Sequence, residues 1–338
     1  MTSPHPRPPG ITRLPGRPAR YLDAEGHDVT DAAVLARIAA LALPPAWSQV
    51  WIDADASAKI QAVGVDGAGR TQYRYSPVWT SQRSAEKFAH IPDFARALPG
   101  LRAHVSAELK ARRAALDRDR VLSTAVRLLD LGFFRVGSQR YARDNETYGL
   151  TTLQRHHVQV KGHAVLFDYT AKEHLHRVVE VSDPAVARWV AALIERDDPD
   201  PALLAWQLPA GGWQPVHSSH VNAFVHARTG IDATAKQFRT WAGTVLAAAA
   251  LGGARHDEKA RSPEVAAIRA TSRLLGNTPA VARSAYIHPG VLAAFAEGRT
   301  TAAAVSAAAQ RHGDDRLATL WRDPAVQDAT TDLLNPPA

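Results

Sequence analysis

The 338-residue chain contains no cysteine and no run of 18 or more apolar residues. The absence of cysteine excludes a disulfide framework, zinc ligation through sulfur and a cysteine nucleophile. A helix that crosses a bilayer needs about 20 predominantly apolar residues, so the sequence predicts no membrane span. The first residues also lack the apolar stretch of a secretory signal, and we therefore expect a cytoplasmic protein.

Acidic residues are missing from the first 20 positions, which carry four arginines and several prolines. Such a composition buries little apolar surface, so residues 1–20 are predicted to form a basic disordered tail. The net charge of the chain is +7, but beyond this tail 36 basic residues face 33 acidic residues. A polyanionic partner would therefore have to be bound through local clusters of charge. Lysine is scarce as well, with seven residues, so each lysine is a candidate for a specific role.

The rest of the chain changes from strand patterns to helix patterns. Residues 21–80 contain three strand-like segments and are predicted to form a small β-rich domain. After a linker at residues 81–86, residues 87–338 are mostly helical, with a long helix expected over 101–131. Alternating apolar residues within 157–181 predict a small antiparallel sheet in this larger domain. The predicted fold class is therefore α+β.

The most informative segment surrounds Tyr286. Gly276 is typical of a residue that ends a helix, and Thr278-Pro279 is typical of an N-cap followed by proline at the first helical position. A short helix that begins at Pro279 would end near Tyr286 and could present the phenol to a ligand. Four further segments fit the same chemistry as this one: Gly132–Tyr141, Asn145–Leu153, Phe167–Lys172 and Thr234–Trp241.

Together these segments resemble the type IB DNA topoisomerases, in their small poxvirus-like and bacterial branch. The resemblance extends from about Leu43 to Leu292 and includes two N-terminal motifs, Leu43–Trp47 and Gly69–Tyr75. It implies a two-lobed clamp, in which the β-rich domain covers one face of a DNA duplex. The mostly helical catalytic domain, of the tyrosine recombinase and topoisomerase IB type, would cover the other face. It also implies a monomer that works at the nucleoid.

The resemblance implies a specific reaction on duplex DNA. A tyrosine attacks a phosphodiester and forms a 3′-phosphotyrosyl enzyme with a free 5′-hydroxyl. The free strand rotates, and the 5′-hydroxyl then attacks the ester and reseals the break. Neither ATP nor a divalent metal is required, because the phosphotyrosyl ester conserves the energy of the broken bond. No cofactor is therefore expected.

The resemblance also implies which residues carry out this reaction. Tyr286 matches the nucleophile, Arg135 and Arg239 match two arginines that stabilise the transition state, and Lys172 matches the general acid. These residue types suit the chemistry, since guanidinium groups offer a planar fork of donors to the charge that gathers on phosphate oxygens. A lysine among other cations has a lowered pKa and can protonate the leaving 5′-oxygen.

Two positions depart from the family pattern. The poxvirus-type enzymes carry histidine where this chain has Asn277, so we interpret Asn277 as a neutral donor to the transition state. An asparagine cannot ionise, which implies less sensitivity to pH at this position. Glycine is expected near the family's lysine in a hairpin turn, but Lys172 is flanked by Ala171 and Glu173. Lys161, which precedes Gly162, is the competing general acid. Lys172 is preferred because it follows a predicted strand.

Six residues are candidates for binding DNA. Gln72, Tyr73 and Tyr75 match family positions that contact bases, and residues 73 and 75 of one strand share a face. The alternative is that the two tyrosines form part of an aromatic pair across strands. Arg140, Tyr141 and Lys236 are candidates for contact with the DNA backbone.

Two other functions remain open on the sequence alone. A tyrosine recombinase uses the same nucleophile, but it shows His-x-x-Arg where this chain has Lys236-Gln237-Phe238-Arg239. Its N-terminal domain is also helical rather than β-rich. The second alternative is a DNA-clamping protein without catalysis. Pairs of histidines occur at 156/157, 174/176 and 217/220, but no carboxylate or cysteine accompanies them at ligand spacing, and no metal site is predicted.

Overall fold

The computed structural model of the protein describes residues 8–16, 18–112 and 115–335, and for residues 80–85 and 141 it describes the main chain only. The chain divides after Lys87 into two compact units. The first unit is β-rich and the second is mostly helical with small antiparallel sheets. This architecture confirms the predicted α+β fold class.

The first unit contains five strands, one complete helix and most of a second helix in its described part. They are β1 (Gly10–Leu14), β2 (Arg20–Leu22), α1 (Ala32–Ala40), β3 (Ser48–Asp53), β4 (Ile60–Val65), β5 (Thr71–Tyr75) and α2 (Pro77–Ala89). The strands form one antiparallel sheet in the order β2-β1-β3-β4-β5. Ile52 and Ala62 of this sheet pack with Ile38 of α1 and form the centre of a small core.

The prediction that residues 1–20 form a disordered tail is wrong for the residues of β1. This strand pairs with β3 in a register that sets Ile11 opposite Ile52, and Ile11 is buried in the core. The Pro- and Arg-rich composition hid a strand whose partner lies about forty residues further along the chain. Residues 1–7 and 17, which belong to the same prediction, lie outside the described residues.

The predicted linker at residues 81–86 is wrong as well, because these residues lie inside helix α2 (Pro77–Ala89). The two ends of the helix show why it forms. Pro77 occupies the first helical position, where its fixed φ is favourable, and Phe88 near the last position is buried.

The second unit contains twelve helices and five strands in its described part. The elements before a β-hairpin at residues 164–182 are α3 (Ile91–Lys110), α4 (Arg118–Gly132), α5 (Gln139–Asn145) and β6 (Val158–Lys161). The hairpin and the elements up to the central helix are β7 (Ala164–Ala171), β8 (Leu175–Ser182), α6 (Pro184–Ile194), β9 (Ala205–Gln207), β10 (Trp213–Pro215), α7 (Ser218–Thr229) and α8 (Ala235–Leu251). The C-terminal helices are α9 (Pro263–Leu275), α10 (Pro279–Ala285), α11 (Pro289–Ala296), α12 (Ala302–His312), α13 (Leu317–Leu320) and α14 (Pro324–Leu334).

Strands β6, β7 and β8 form the predicted antiparallel sheet, in that order. The single helix expected over residues 101–131 is instead divided into α3 and α4. Asp117 starts the second helix, since its side chain accepts a hydrogen bond of 3.0 Å from the main-chain N–H of Arg120. Within the described ranges, every helix is too short or too polar to reach across a bilayer.

Helix α8 lies at the centre of the second unit. Every residue from Phe238 to Ala250 is buried, and α8 packs against α3, α4, α7 and α9. Most of these residues are alanine, threonine or glycine, which allow neighbouring elements to approach closely. Arg239 is the charged residue within this buried stretch. A charged group is costly to bury without partners, so its surroundings are informative.

Candidate active site

The segment around Tyr286 has the local structure that the sequence predicts. Helix α9 ends at Gly276, whose φ of 64° lies in the left-handed region. Thr278 caps α10, with its side chain accepting from the main-chain N–H of Val281 at 3.3 Å. Tyr286 follows directly after the last residue of α10 and is partly buried. The phenol is therefore held at the end of a two-turn helix.

Helix α8 fixes the main chain on which Tyr286 lies. A Cβ atom on Gly243 would lie 2.7 Å from the carbonyl oxygen of Tyr286 and 2.9 Å from its Cβ, so only glycine allows this approach. Thr244 beside it accepts a hydrogen bond of 3.1 Å from the main-chain N–H of His288. The tyrosine therefore has a rigid, buried support.

Arg239 is 4% exposed and points from α8 towards Tyr286. Its guanidinium carbon lies 4.9 Å from the centre of the Tyr286 ring. Its terminal nitrogens donate to the carbonyl oxygens of Phe133 and Leu275 and, at 3.2 Å, to Oδ1 of Asn277. Burial lowers the pKa of Arg239 to about 10, although the nearby Tyr286 acts in the opposite direction. The group still carries its positive charge at neutral pH.

Arg135 contacts Oδ1 of Asn277, the atom that also accepts from Arg239. Its Nη2 donates to Oδ1 of Asn277 at 2.9 Å. The carbonyl oxygen of Arg135 accepts from the main-chain N–H of Leu150 at 2.8 Å. A Cβ atom on Gly149 would lie 2.7 Å from that carbonyl oxygen and 2.7 Å from Cα of Gly137. These two glycines let the neighbouring loops touch and so fix the main chain of Arg135.

Asn277 lies between the two arginines. Its Oδ1 accepts from both guanidinium groups, and its Nδ2 is buried without a hydrogen-bond partner in the described part of the chain. A buried donor without a partner costs about 1–3 kcal/mol, which a bound acceptor would recover. The sequence predicted a donor at this position. The structure adds that the oxygen of the same amide accepts a hydrogen bond from each of the two arginines and so holds them together.

The electrostatic surroundings favour ionisation of the Tyr286 phenol. Burial alone would raise its pKa, but the charges and hydrogen bonds of Arg239 and Arg135 outweigh burial, and the net effect is a lowered pKa. A tyrosine is a poor nucleophile while it is protonated, with an ordinary pKa of about 10. The two arginines therefore favour the phenolate form of Tyr286.

Lys172 lies at the end of β7, in a three-residue turn that leads into β8. Glu173 and His174 of this turn have φ values of 69° and 55°, the left-handed conformation that glycine normally supplies. The Lys172 side chain is exposed and has no hydrogen bond or ion pair with any residue that the structure describes. Ala171, the residue before Lys172, lines a cavity together with Arg135, Arg177 and Arg239, which form the arginine cluster.

The competing Lys161 lies at the opposite end of β7. It pairs with Ala164, the first residue of this strand, whereas Ala171 at the last position lines a cavity together with Arg135 and Arg239. Seven residues of a strand separate the two ends by roughly 23 Å. The geometry thus favours Lys172, since only the end of β7 that carries it reaches the arginine cluster.

Sequence reasoning missed two residues of this cavity, Arg177 and Tyr169. They face each other across the β7–β8 hairpin and line the cavity with the other two arginines. Burial raises the pKa of Tyr169, and the positive charge of Arg177 acts against this increase. The strand that begins near Arg177 was predicted. Its register against β7 depends on the length of the turn at Lys172, which the sequence did not define.

The candidates for base contact lie in the first unit. Tyr73 and Tyr75 are exposed and stack with their ring centres 6.3 Å apart, and Tyr75 also stacks on Trp79 at 4.6 Å. They face no aromatic residue across the strands, because their partners on β4 are Val63 and Ile60. The alternative of an aromatic pair across strands is therefore wrong.

Gln72 is not brought together with these tyrosines. Alternation along β5 places it on the opposite face, and its Nε2 donates to Asp66 at 2.8 Å. The row of aromatic rings instead continues to the half-buried Trp79, where the ammonium group of Lys59 lies 4.5 Å from the ring centre. Sequence reasoning missed Trp79 and Lys59, although an aromatic residue four positions after Tyr75 was a usable signal.

The candidates for backbone contact are only partly described. The Arg140 side chain is exposed on α5, 3.8 Å from Asp144, and Lys236 is exposed in the first turn of α8. The Tyr141 side chain lies outside the described residues. Among the residues that the structure describes, no three His, Asp or Glu side chains are grouped so as to hold a metal ion.

The chain matches two family models and is similar to known viral proteins. A family model for the eukaryotic DNA topoisomerase I catalytic core matches residues 76–311, and one for the bacterial DNA topoisomerase IB N-terminal domain matches residues 19–66. The chain is similar to a DNA topoisomerase 1B of Acanthamoeba polyphaga mimivirus, with 26% identity over 264 residues that cover 74% of this chain and 76% of the relative. It is also similar to a DNA topoisomerase 1B of vaccinia virus, with 23% identity over 127 residues that cover 38% of this chain and 39% of the relative.

Proposed function

We propose, on the premise that this chain belongs to the type IB DNA topoisomerase family, that it relaxes supercoiled duplex DNA through a 3′-phosphotyrosyl intermediate. The resemblance that the sequence predicted is confirmed at the level of the family, and the chain is an isomerase that acts on DNA. The finer mechanism is our proposal. The observation that supports it most is that Arg239 and Arg135 both act on Tyr286 and both donate to the amide oxygen of Asn277.

In the first step, the Tyr286 phenolate attacks the phosphorus of one strand. The Oη–P bond forms and the P–O5′ bond breaks, which leaves the 3′ end of the strand on the enzyme. The lowered pKa of Tyr286 increases the fraction of phenolate available for this attack. Because the phosphotyrosyl ester keeps the energy of the broken bond, the free strand can rotate and be resealed without ATP or a required metal.

The arginines stabilise the charge that gathers on the non-bridging oxygens in the transition state. Arg135 and Arg239 are already oriented by the oxygen of Asn277, so little reorganisation is needed when DNA arrives. The unpartnered Nδ2 of Asn277 supplies a third, neutral donor to the same oxygens. Lys172 protonates the departing 5′-oxygen from the end of the β7–β8 hairpin.

The proposed substrate contacts extend into the first unit. The exposed rings of Tyr73 and Tyr75 are suited to contact with duplex DNA, with Arg140, Tyr141 and Lys236 as backbone contacts in the second unit. All five proposed catalytic residues come from one chain, and we therefore propose that a monomer is active. A substrate of this kind would bring the protein to the nucleoid.

A plasmid assay tests this function directly. The protein is incubated with supercoiled plasmid in the absence of ATP and with a chelator, and the topoisomers are separated on a gel. We expect relaxation by the wild-type chain and none by Tyr286→Phe. Denaturant added during the reaction should trap the chain on the 3′ end of a nicked strand.

Two outcomes would contradict the proposal. Binding to DNA without a covalent adduct would favour the clamping protein without catalysis. An adduct with exchange of strands between two plasmids, but without relaxation of either one, would favour a tyrosine recombinase. The five-stranded sheet of the first unit and Lys236 in place of the recombinase histidine support the topoisomerase.

A further inference from the structure

Arg177 is a third arginine at the cavity that Arg135 and Arg239 line. Three guanidinium groups therefore surround one small space, and none of the described side chains that line it is a carboxylate. Buried charges of one sign repel each other and are costly unless an anion joins them. The mechanism proposed above uses only two of the three, so the role of Arg177 needs its own explanation.

The contacts of Arg177 join two separate parts of the site. On one side, it lies opposite Tyr169 in the β7–β8 hairpin, and its positive charge acts on the phenol of Tyr169. On the other side, its guanidinium lies directly over Gly276. A Cβ atom on that glycine would be 1.5 Å from Nη1 of Arg177 and 2.5 Å from Cζ. Gly276 is thus needed for this contact as well as for its left-handed φ.

The position of Arg177 along the hairpin matters equally. It lies two residue pairs away from the turn that carries Lys172, since Ala171 pairs with Leu175 and Tyr169 pairs with Arg177. Gly276 immediately precedes Asn277, which holds the other two arginines. The guanidinium of Arg177 therefore lies between the proposed general acid and the proposed phosphate-binding residues.

We propose that Arg177 is a positioning residue for the general acid, which holds the Lys172 end of the hairpin against the turn formed by Gly276 and Asn277. This inference rests on the proposed function, because it assumes that Lys172 protonates the leaving oxygen. A general acid must lie within about 3 Å of the atom that it protonates. A displacement of about 1 Å can reduce a rate about 100-fold.

The chemistry of the leaving group separates positioning of the acid from other roles. In the normal reaction the P–O5′ bond breaks and O5′ takes a proton from Nζ of Lys172. If sulfur replaces the bridging O5′, the P–S bond breaks and the thiolate departs without a proton, since a thiol has a pKa of about 8.5. A defect that arises only from a misplaced acid should therefore disappear with the sulfur substrate.

The experiment compares single-turnover cleavage of two duplexes, one with oxygen and one with sulfur at the bridging position. With oxygen, we expect Arg177→Ala to cleave about 100 times more slowly than wild type. With sulfur, we expect its rate to be within about threefold of wild type, because no proton is needed. Arg177→Lys, which keeps the charge without the planar fork, should recover only part of the loss with oxygen.

Controls make the result specific to Arg177. Val178→Ala changes the next residue of β8, which is exposed on the opposite face, and should cleave both duplexes at the wild-type rate. Thermal unfolding checks that the variants are folded. If Arg177→Ala is unstable, Arg177→Met retains the aliphatic stem and tests the same loss of the guanidinium.

The salt dependence of DNA binding provides a second readout. A positioning residue should leave the slope of log affinity against log salt unchanged, whereas a residue that binds phosphate reduces this slope by about one. An unchanged cleavage rate with oxygen, an equal defect with both duplexes or a reduced slope would each overturn the inference.

The Lys172→Ala variant separates failure of the inference on Arg177 from failure of the proposed function. If sulfur fails to rescue Lys172→Ala, the assignment of the general acid is wrong, whereas rescue of Lys172→Ala but not of Arg177→Ala refutes only the inference on Arg177.

Discussion

The two sides of the active site differ in how completely they are formed. On the side of α8, Arg239 is buried and bonded to three partners, and Asn277 and Tyr286 are packed against it. On the side of the hairpin, Lys172 is exposed and makes no hydrogen bond or ion pair with the described residues. The proposed charge-stabilising groups are thus held by several contacts, whereas the proposed proton donor has none with the described residues. Substitutions on the first side should therefore affect both folding and chemistry, and those on the second side chemistry alone.

The largest effect is expected from Arg239→Ala. It removes a cation that we propose stabilises the transition state, and it leaves the carbonyl oxygens of Phe133 and Leu275 without their donor. Cleavage should fall by about 1000-fold, the upper range for loss of one such donor. The melting temperature should also fall, because buried acceptors lose their partner. Single-turnover cleavage and thermal unfolding would measure the two effects. An unchanged melting temperature would show that Arg239 does not stabilise the fold.

Lys172→Ala should have the next largest effect. We expect cleavage of ordinary DNA to fall by about 100-fold, at the lower end of the range for general acid catalysis. Because the side chain is exposed, the melting temperature should not change. Lys161→Ala is the matched control at the opposite end of β7 and should cleave normally. A defect in Lys161→Ala with normal activity in Lys172→Ala would reverse the assignment of the acid.

Asn277→Ala should reduce the cleavage rate by at least about tenfold, because it removes one hydrogen bond to a charged group. The loss should be similar across neutral pH, because an amide does not titrate. A rate equal to that of wild type would refute the proposed donor. A single-turnover pH profile of the variant beside wild type would show whether the ratio of the two rates stays constant.

The smallest effect is a shift in a titration curve. The charges of Arg239 and Arg135 lower the pKa of Tyr286, so its phenolate should form at lower pH than that of an ordinary tyrosine. The difference in ultraviolet absorbance between wild type and Tyr286→Phe would follow this group alone. In Arg135→Ala the titration should move to higher pH. A titration that stays in place would show that Arg135 does not act on the phenol.

The sequence was sufficient where structure depends on neighbouring residues. Gly276 and Thr278-Pro279 are local signals for the end of one helix and the start of the next, and they placed Tyr286 correctly. It was insufficient where structure depends on pairing over a distance. Ile11 is buried because its strand pairs with the strand of Ile52. The composition of residues 1–20 does not reveal this distant partner and suggested disorder instead.

Arg177 was missed for the same reason. Its contact with Gly276 requires the register of the hairpin and the position of a helix end about one hundred residues away. The roles of the site residues were carried by family resemblance and not by periodicity. The structure added what resemblance could not give, namely that one amide oxygen holds two guanidinium groups and that Gln72 points away from Tyr73.

The unpartnered amide nitrogen of Asn277 also gives the protein a built-in spectroscopic probe. The chain contains only four asparagines, so the side-chain NH₂ resonances of this residue could be identified from a few single substitutions. Its oxygen is held by two donors, which fixes the orientation of the group. Arrival of a phosphate oxygen at Nδ2 would shift its proton signals to lower field. The filling of the site by DNA could thus be followed in solution before any bond is broken.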